Sequence, residues 1–440
     1  MKAALSFDSA PPLAAPLRFF LTAPLFGVLA GLLFAFDGVD ALTSRWSPAA
    51  LGLTHLLTAG FMLQAMIGAA IQVLPVIAGA SLSRPLAVAR VVHPLSFVGA
   101  LLLVGGLRWG SRFALESGAL LLMLAVTVFV VAASVVYRVR STSPTIRGLK
   151  LAFVAFTVTV LLGGLLAFAL ARGWQLELAA LTDLHVGWGL GGWAGVLLAA
   201  VAYVVVPMFQ LTPGYPARPA WVFPLAIMGA LVVWGTSAIF GPPWLTPLAQ
   251  AFLAATGIAF AALTLKLQSQ RRRAKADATY RYWQAGMVAS VLALAMMVGA
   301  VLFPGLLHHA AWIPVSGVLL IVGGFVSFIS GMLCKIVPFL AWLHLQHLAQ
   351  TRVPSMSQFL RDDETLRPWF VHLAAVLLLA GTALLPVLAL PAGIALAVSN
   401  GWLGWNLLQV TRRYRRCVAS VEDSRAAAAA ERNGPGDAAA

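Results

Sequence analysis

The sequence predicts an all-α, polytopic membrane protein of about twelve transmembrane helices, arranged as three pseudo-repeats of four. Three observations carry that expectation. Of its 440 residues, 61% are hydrophobic and only 10% charged, where a soluble protein carries roughly 25% charged residues. The apolar residues fall in charge-free blocks of about 20, the length that spans ~30 Å of hydrocarbon. The Lys and Arg residues concentrate in short loops on one side of those blocks.

Hydropathy places helices near 17–37, 50–75, 88–107, 113–137, 148–171, 180–208, 219–240, 243–266, 281–303, 312–341, 367–388 and 390–411. The seventh and eighth are divided only by Gly241-Pro242-Pro243, and the last two only by Pro391. The first block opens near Arg18 behind a Pro/Ala-rich stretch and is long enough to span. It therefore reads as a retained helix rather than a cleaved leader. Residues 1–16 form a short N-terminal segment, 17–416 the membrane domain (units 17–137, 148–266 and 281–411), and the Ala-rich stretch 417–440 a disordered tail.

With an even helix count and the N-terminus inside, 22 Lys and Arg fall in cytoplasmic segments, from Lys2 and Arg18 through the run at Arg271–Arg273 to Arg412–Arg416. Only Arg45, Arg108, Arg112 and Arg172 fall outside. A missed or added helix in the middle of the chain would destroy that asymmetry. The expected location is the bacterial inner membrane, multi-pass, with both termini cytoplasmic. The net charge of +15 is thus a topology signal, and the partner it implies is the lipid bilayer, not nucleic acid. Cys334 and Cys417 lie far apart and form no metal or disulfide motif.

Three segments share one pattern, a long Gly-rich helix closed by an apolar-Pro step: His55 to Pro75, His185 to Pro207, and Ser316 to Pro338. The prolines are 132 and then 131 residues apart, four helices each time. Such spacing argues for repeats around a shared centre, with Gly68, Gly195 and Gly324 permitting close helix approach.

The histidines sort by side. His55 and His185 open helices that run from outside to inside, and His308 and His309 precede the tenth helix on the outer side. His93, His344, His347 and His372 fall at cytoplasmic helix ends, so none is expected near the middle of a span. A neutral imidazole can hold haem iron or copper within a membrane without burying a charge. Histidines at helix ends also serve as interfacial groups bonded to water. That ordinary role is preferred for His93, His308 and His372 taken singly, and ligation for the pair His55 and His185. His344 and His347, spaced i, i+3, could share a helix face. Asp183, two residues before His185, could orient the imidazole. Gln64, Gln72 and Gln210 could bond across helices, and Lys335 could snorkel to the interface.

Twelve helices in three arcs of four, with a histidine near the outer end of the second and sixth, resemble the haem–copper oxidase subunit I superfamily. The segment from His55 to Gly79 looks like that group's second helix, which carries a haem-ligating histidine. It is equally similar to NnrS-type proteins, the haem- and copper-containing membrane proteins linked to nitric oxide, through His55, Gly60, Phe61, Gly68 and Pro75. The motif likeness is densest over 54–79 and thinner over 185–213 and 331–347. The departures are specific. Residues 316–338 lack the paired histidines of the oxidase tenth helix, 219–240 lack the copper-ligating pair, and His185 is followed by Trp188 and Gly189.

The resemblance therefore implies a haem-binding (b-type), copper-binding or mixed membrane protein in nitric oxide or respiratory metal physiology. His55 and His185 are its expected ligands, with His308 and His309 as further donors and His344, His347, His93 and His372 as a second, weaker set. A small gas such as nitric oxide is the expected ligand. No catalytic residue or protein partner is identified, and terminal oxidase activity is not expected. The alternatives are a secondary transporter and a non-catalytic oxidase assembly factor. Proton coupling by a transporter calls for intramembrane carboxylates, whereas Asp37, Asp40, Glu116, Glu177 and Asp183 all sit at predicted outer helix ends.

Overall fold

The computed structural model describes residues 7–273, 275–348 and 353–432. Lys2, Arg352 and the tail segment 433–440 lie outside the described residues. Twelve helices are long and apolar enough to cross a membrane. They are α1 Ala14–Asp37, α2 Pro48–Ala78, α3 Pro85–Trp109, α4 Arg112–Arg138, α5 Pro144–Arg172, α6 Leu178–Gln210, α7 Ala217–Phe240, α8 Leu245–Ser269, α9 Ala278–Leu302, α10 Trp312–Leu348 and α11 Asp362–Thr382, closed by α12 Ala389–Arg432. Among the described residues there is no strand.

Neighbours in sequence pack as neighbours in space, and α1 lies along α12, so the bundle closes on itself. Glycine permits that closure. A Cβ on Gly31 would lie 2.4 Å from the Ala397 nitrogen, and one on Gly393 would lie 2.5 Å from the Ala35 nitrogen. Small residues let backbones meet where lipid offers no hydrophobic drive to association.

Three helices occupy the middle. Within their most apolar windows α2 is 89% buried, α10 72% and α6 56%, while no other helix exceeds 50%. They touch pairwise. His55 of α2 faces His185 of α6, α2 packs on α10, and Phe209 of α6 meets Phe339 of α10 edge to face at 5.6 Å. Each also carries a π-helical tract: Leu56–Met62, Gly187–Gly195 and Val318–Val326. Such wide turns are rare and are found at functional positions. Glycine is a poor α-former, and each tract contains it. Gly68 and Gly324 sit at close crossings, a Cβ there meeting Phe20 at 2.8 Å and the Ser290 hydroxyl at 2.7 Å. Gly195 does not. Its added Cβ would meet only the carbonyl of Leu190 in its own tract, and Gly192 makes the close crossing instead, 2.8 Å from Ala155.

Four local expectations are corrected. The break before the last helix falls at residues 383–388, not at Pro391, because a proline in the first turn of α12 costs no helical hydrogen bond. Pro338 does not close α10, which runs ten residues further to Leu348. α11 begins at Asp362 rather than 367. Asp362, Asp363 and Glu364 occupy its first turn, where the helix dipole favours anions, and the Glu364 carboxylate accepts from the Arg361 backbone N–H at 2.8 Å. The stretch from 417 is helical to Arg432 rather than disordered. Its alanines are strong helix formers, Cys417, Val418 and Val421 pack on the core, and Arg425 donates to the Leu348 carbonyl. His344 in turn bonds the Pro11 carbonyl at 3.0 Å. The N-terminal segment, the end of α10 and the end of α12 thus gather at one end of the bundle.

Candidate functional site: a histidine pair between two central helices

The residues that open α2 and α6 build the site. Ser47 caps α2, its hydroxyl accepting from the Ala50 N–H at 3.1 Å, and Pro48 occupies the first turn. Two turns on, just before the π-helical tract, stands His55. On α6 His185 stands two residues before its own tract. The two imidazole centres are 6.4 Å apart and the ring planes lie 18° from parallel.

Each ring is fixed by one nitrogen. His55 Nδ1 lies 2.8 Å from the Leu51 carbonyl and His185 Nδ1 lies 3.0 Å from the Thr159 carbonyl. A carbonyl only accepts, so both Nδ1 atoms carry hydrogen and both Nε2 atoms carry the lone pair. Among the described residues neither Nε2 has a hydrogen-bond partner, and both rings are only half-buried. A backbone carbonyl on one nitrogen with the other left open is how proteins orient a metal-binding histidine. The Thr159 carbonyl is reachable because α5 has Gly163 beside it. A Cβ there would sit 2.9 Å from His185 Cε1.

Asp183 does not orient His185. Its carboxylate accepts from Arg45, at the end of the loop between α1 and α2, and so ties that loop to the start of α6. Sequence reasoning missed Thr159 and Gly163. A backbone acceptor carries no residue-type signal, and a glycine within a Gly-Gly step of an apolar span looks like any other packing glycine.

The other histidines are elsewhere. His308 and His309 are exposed in the turn before α10. His93 Nε2 is 3.0 Å from the Thr22 hydroxyl. Both nitrogens of His344 face carbonyls, of Leu340 and Pro11, and His347 lies 4.0 Å from Asp8. His372 corrects the expectation that no histidine lies near the middle of a span. It is midway along α11 and 2% exposed, with Nε2 2.8 Å from the Ser327 hydroxyl of α10. Among the described residues no three His, Cys, Asp or Glu side chains gather to hold a metal. His308 and His309 therefore do not join the pair, and the second set does not assemble.

Two cavities flank these elements. One, of about 140 Å³, is almost wholly apolar and runs from Val186 and Gly187, next to His185, past Leu253 and Met287 to Leu320 and Phe325. The other, of about 310 Å³, lies at the end that holds the termini and is lined by Arg273, Asp277, Cys334, Lys335, Ser355 and Asp362 among others. There Lys335 does not simply snorkel. Its ammonium is 3.1 Å from the buried carboxylate of Asp277, which also pairs with Arg273 and caps α9 through the Tyr280 N–H. Gln64 bonds Ser96 of α3 at 3.0 Å, and Gln210 accepts from Gln268 of α8 at 2.8 Å.

No family model and no curated protein matches this sequence. A solved structure does, that of a haem–copper terminal oxidase dimer determined by cryo-electron microscopy. The match has a TM-score of 0.59 at 14% identity and covers 90% of this chain and 84% of that one. At that identity the likeness defines the fold: this chain is a multi-pass membrane protein with the helical architecture of a haem–copper oxidase.

Proposed function

We propose that the protein binds a transition-metal centre, haem iron or copper, between α2 and α6 through His55 and His185, and that it serves nitric oxide or respiratory metal physiology rather than oxygen reduction. The observation that carries this is the pair itself: two imidazoles with their Nδ1 atoms tied to carbonyls, their Nε2 atoms unpartnered and their centres 6.4 Å apart. When bound, such a centre supplies one-electron chemistry and a position for a diatomic ligand. The residues do the rest: Leu51 and Thr159 hold the rings, and Arg45 draws the Asp183 carboxylate aside. The apolar cavity beginning at Val186 suits a small gas such as nitric oxide, which partitions into lipid. α7 has no histidine and the central tract of α10 has none, so a binuclear oxygen-reducing centre lacks its donors, which supports the non-oxidase reading.

The test is an optical spectrum and metal analysis of detergent-purified protein. His55→Ala and His185→Ala are expected to lose the bound centre, and His93→Ala and His372→Ala to keep it. Retention in all four variants would end the proposal. The transporter alternative draws on one observation, the buried Asp277–Lys335 pair beside the polar cavity. It gives His55 and His185 no role, so the same four variants separate the two readings.

We also place the protein in the bacterial cytoplasmic membrane with both termini inside. Reporter fusions after Arg147, Arg273 and Arg361 are expected to read cytoplasm, and those after Arg45, Arg172 and His309 periplasm. One reversed pair in mid-chain breaks this topology.

A further inference from the structure

We infer that the seam between α1 and α3, at the end of the bundle that carries the termini, is a binding site for one anionic phospholipid whose phosphate sits between Arg18 and Arg90. The seam lies at the opposite end from His55 and His185 and does not depend on them.

The acids are distributed unevenly. Those between Asp8 and Asp277 are Asp37, Asp40, Glu116, Glu177 and Asp183, and all stand at the other end, around the close of α1 and the starts of α4 and α6. Asp8, before α1, faces His347 of α10. At the end with the termini the paired carboxylates serve Arg273, Lys335, Arg361 and Arg413, beside or within α9 to α12. The helices α1 to α8 therefore bring cations to that end and no carboxylate of their own. Arg18 and Arg90 are close enough to repel each other, yet neither has a carboxylate partner among the described residues. Arg18 donates through Nε to the Ala14 carbonyl at 3.1 Å, which leaves its two terminal amino groups open. Arg90 makes no hydrogen bond among the described residues. Two adjacent guanidinium groups present forks of donors that match phosphate, and an anion between them removes their repulsion.

Position selects the anion. Arg18 is four residues into α1 and Arg90 five into α3, ~6 and ~8 Å along a helix. That is the depth of the headgroup layer, ~5–8 Å on each side of the hydrocarbon. Beyond Arg18 the outward stripe of α1 continues through Leu25 and Leu32, and beyond Arg90 that of α3 continues through Val91, Val98 and Leu101, all exposed. His93 meets Thr22 at 3.0 Å and Phe97 meets Phe26 at 5.2 Å, so the seam is closed behind. An acyl chain fits an apolar trough beneath a cationic mouth, whereas a free phosphate or an acidic protein gains nothing from it. Pro94, exposed on the same stripe, lacks the N–H that would bond the Arg90 carbonyl, which leaves an acceptor for a headgroup hydroxyl. Phosphatidylglycerol supplies the phosphate, the hydroxyl and the chain.

Full-length protein, stripped of native lipid by detergent exchange, is titrated with phosphatidylglycerol and with phosphatidylcholine of the same chains and followed by native mass spectrometry. One phosphatidylglycerol is expected to bind more tightly than any later one and more tightly than phosphatidylcholine, and to resist millimolar inorganic phosphate. Arg18→Gln and Arg90→Gln should each weaken that first lipid roughly fivefold, whereas Arg140→Gln, removing an exposed cation at the same end, leaves it unchanged. Arg90→Lys, which keeps the charge without the fork, should recover part of the loss. If Arg18→Gln fails to fold, the exposed Arg90 variants decide. Equal affinity for the two lipids would overturn the site. So would an equal loss in Arg140→Gln, which marks diffuse surface charge, or full displacement by inorganic phosphate, which marks a free-anion site. Polyglutamate outcompeting the lipid would overturn it in favour of an acidic protein partner.

Discussion

The two ends of the bundle treat their charges and histidines in opposite ways. At the end that carries His55 and His185 each arginine has a carboxylate. Arg45 pairs with Asp183, Arg108 with Asp37, and Arg112 and Arg172 share Glu116. At the end that carries the termini Arg84, Arg138 and Arg140 have no ion-pair partner among the described residues. The histidines invert the pattern. His93 and His344 bond Thr22 and two backbone carbonyls, whereas His55 and His185 each keep one nitrogen open. The four arginines that stand outside the positive-inside pattern are all paired, Arg112 and Arg172 with one carboxylate, while at the other end Arg273, Arg361 and Arg413 are paired as well. Charge left over marks one end of the molecule, and lone pairs left over mark the other.

The contrast can be broken most severely at the histidines. His55→Ala or His185→Ala is expected to abolish metal binding, while His344→Ala, whose two nitrogens already face carbonyls, leaves it unchanged; metal analysis of the three purified variants decides. The next largest effect concerns Asp37, whose side chain is 3% exposed and held by two contacts from Arg108, at 2.6 and 3.2 Å. Arg108→Ala strands that carboxylate and should cost ~3 kcal/mol, since removing one partner of a buried pair leaves an uncompensated charge. Denaturant unfolding in detergent measures it, and a cost near zero would mean that Asp37 is hydrated.

Arg45 and Asp183 are each about a third exposed, so Arg45→Ala should cost at most ~1 kcal/mol of stability. It should nonetheless weaken metal retention by loosening the start of α6, and an unchanged metal content would sever that link. Smallest of all is Arg112→Ala. Glu116 keeps Arg172 at 2.9 Å, so no shift in the unfolding midpoint is expected, and a measurable one would show that the three-membered cluster acts as a unit.

All twelve spans were legible because lipid requires long apolar runs, and their ends fell within a few residues except where local chemistry contradicted composition. Asp362, Asp363 and Glu364 read as loop by charge, yet they are stabilised in a first helical turn. Starting α11 too late put His372 near an interface, when it lies midway along the helix against Ser327. The Ala-rich end of the chain read as disorder by its lack of hydrophobic periodicity, although alanine is the residue that most favours helix. His55 and His185 could be assigned to the same end by counting helices, because helix parity fixes side. Their partners could not be read. The acceptors are backbone carbonyls, and the side chain that looked the part, Asp183, is tied to an arginine from another loop.

The π-helical tract of α2 lies between the proline-containing half of the helix and the turn that bears His55. Adding or removing one residue in a helix rotates everything beyond it by about a quarter turn, since an α-helix has 3.6 residues per turn. Leu56–Met62 therefore works as a phase adjuster. It sets the bearing of the histidine relative to the half of α2 below it, Leu63–Ala78, which packs on α1. A single deletion there would let the tract relax to an ordinary α-helix, leave every buried contact below it in place, and point His55 away from α6.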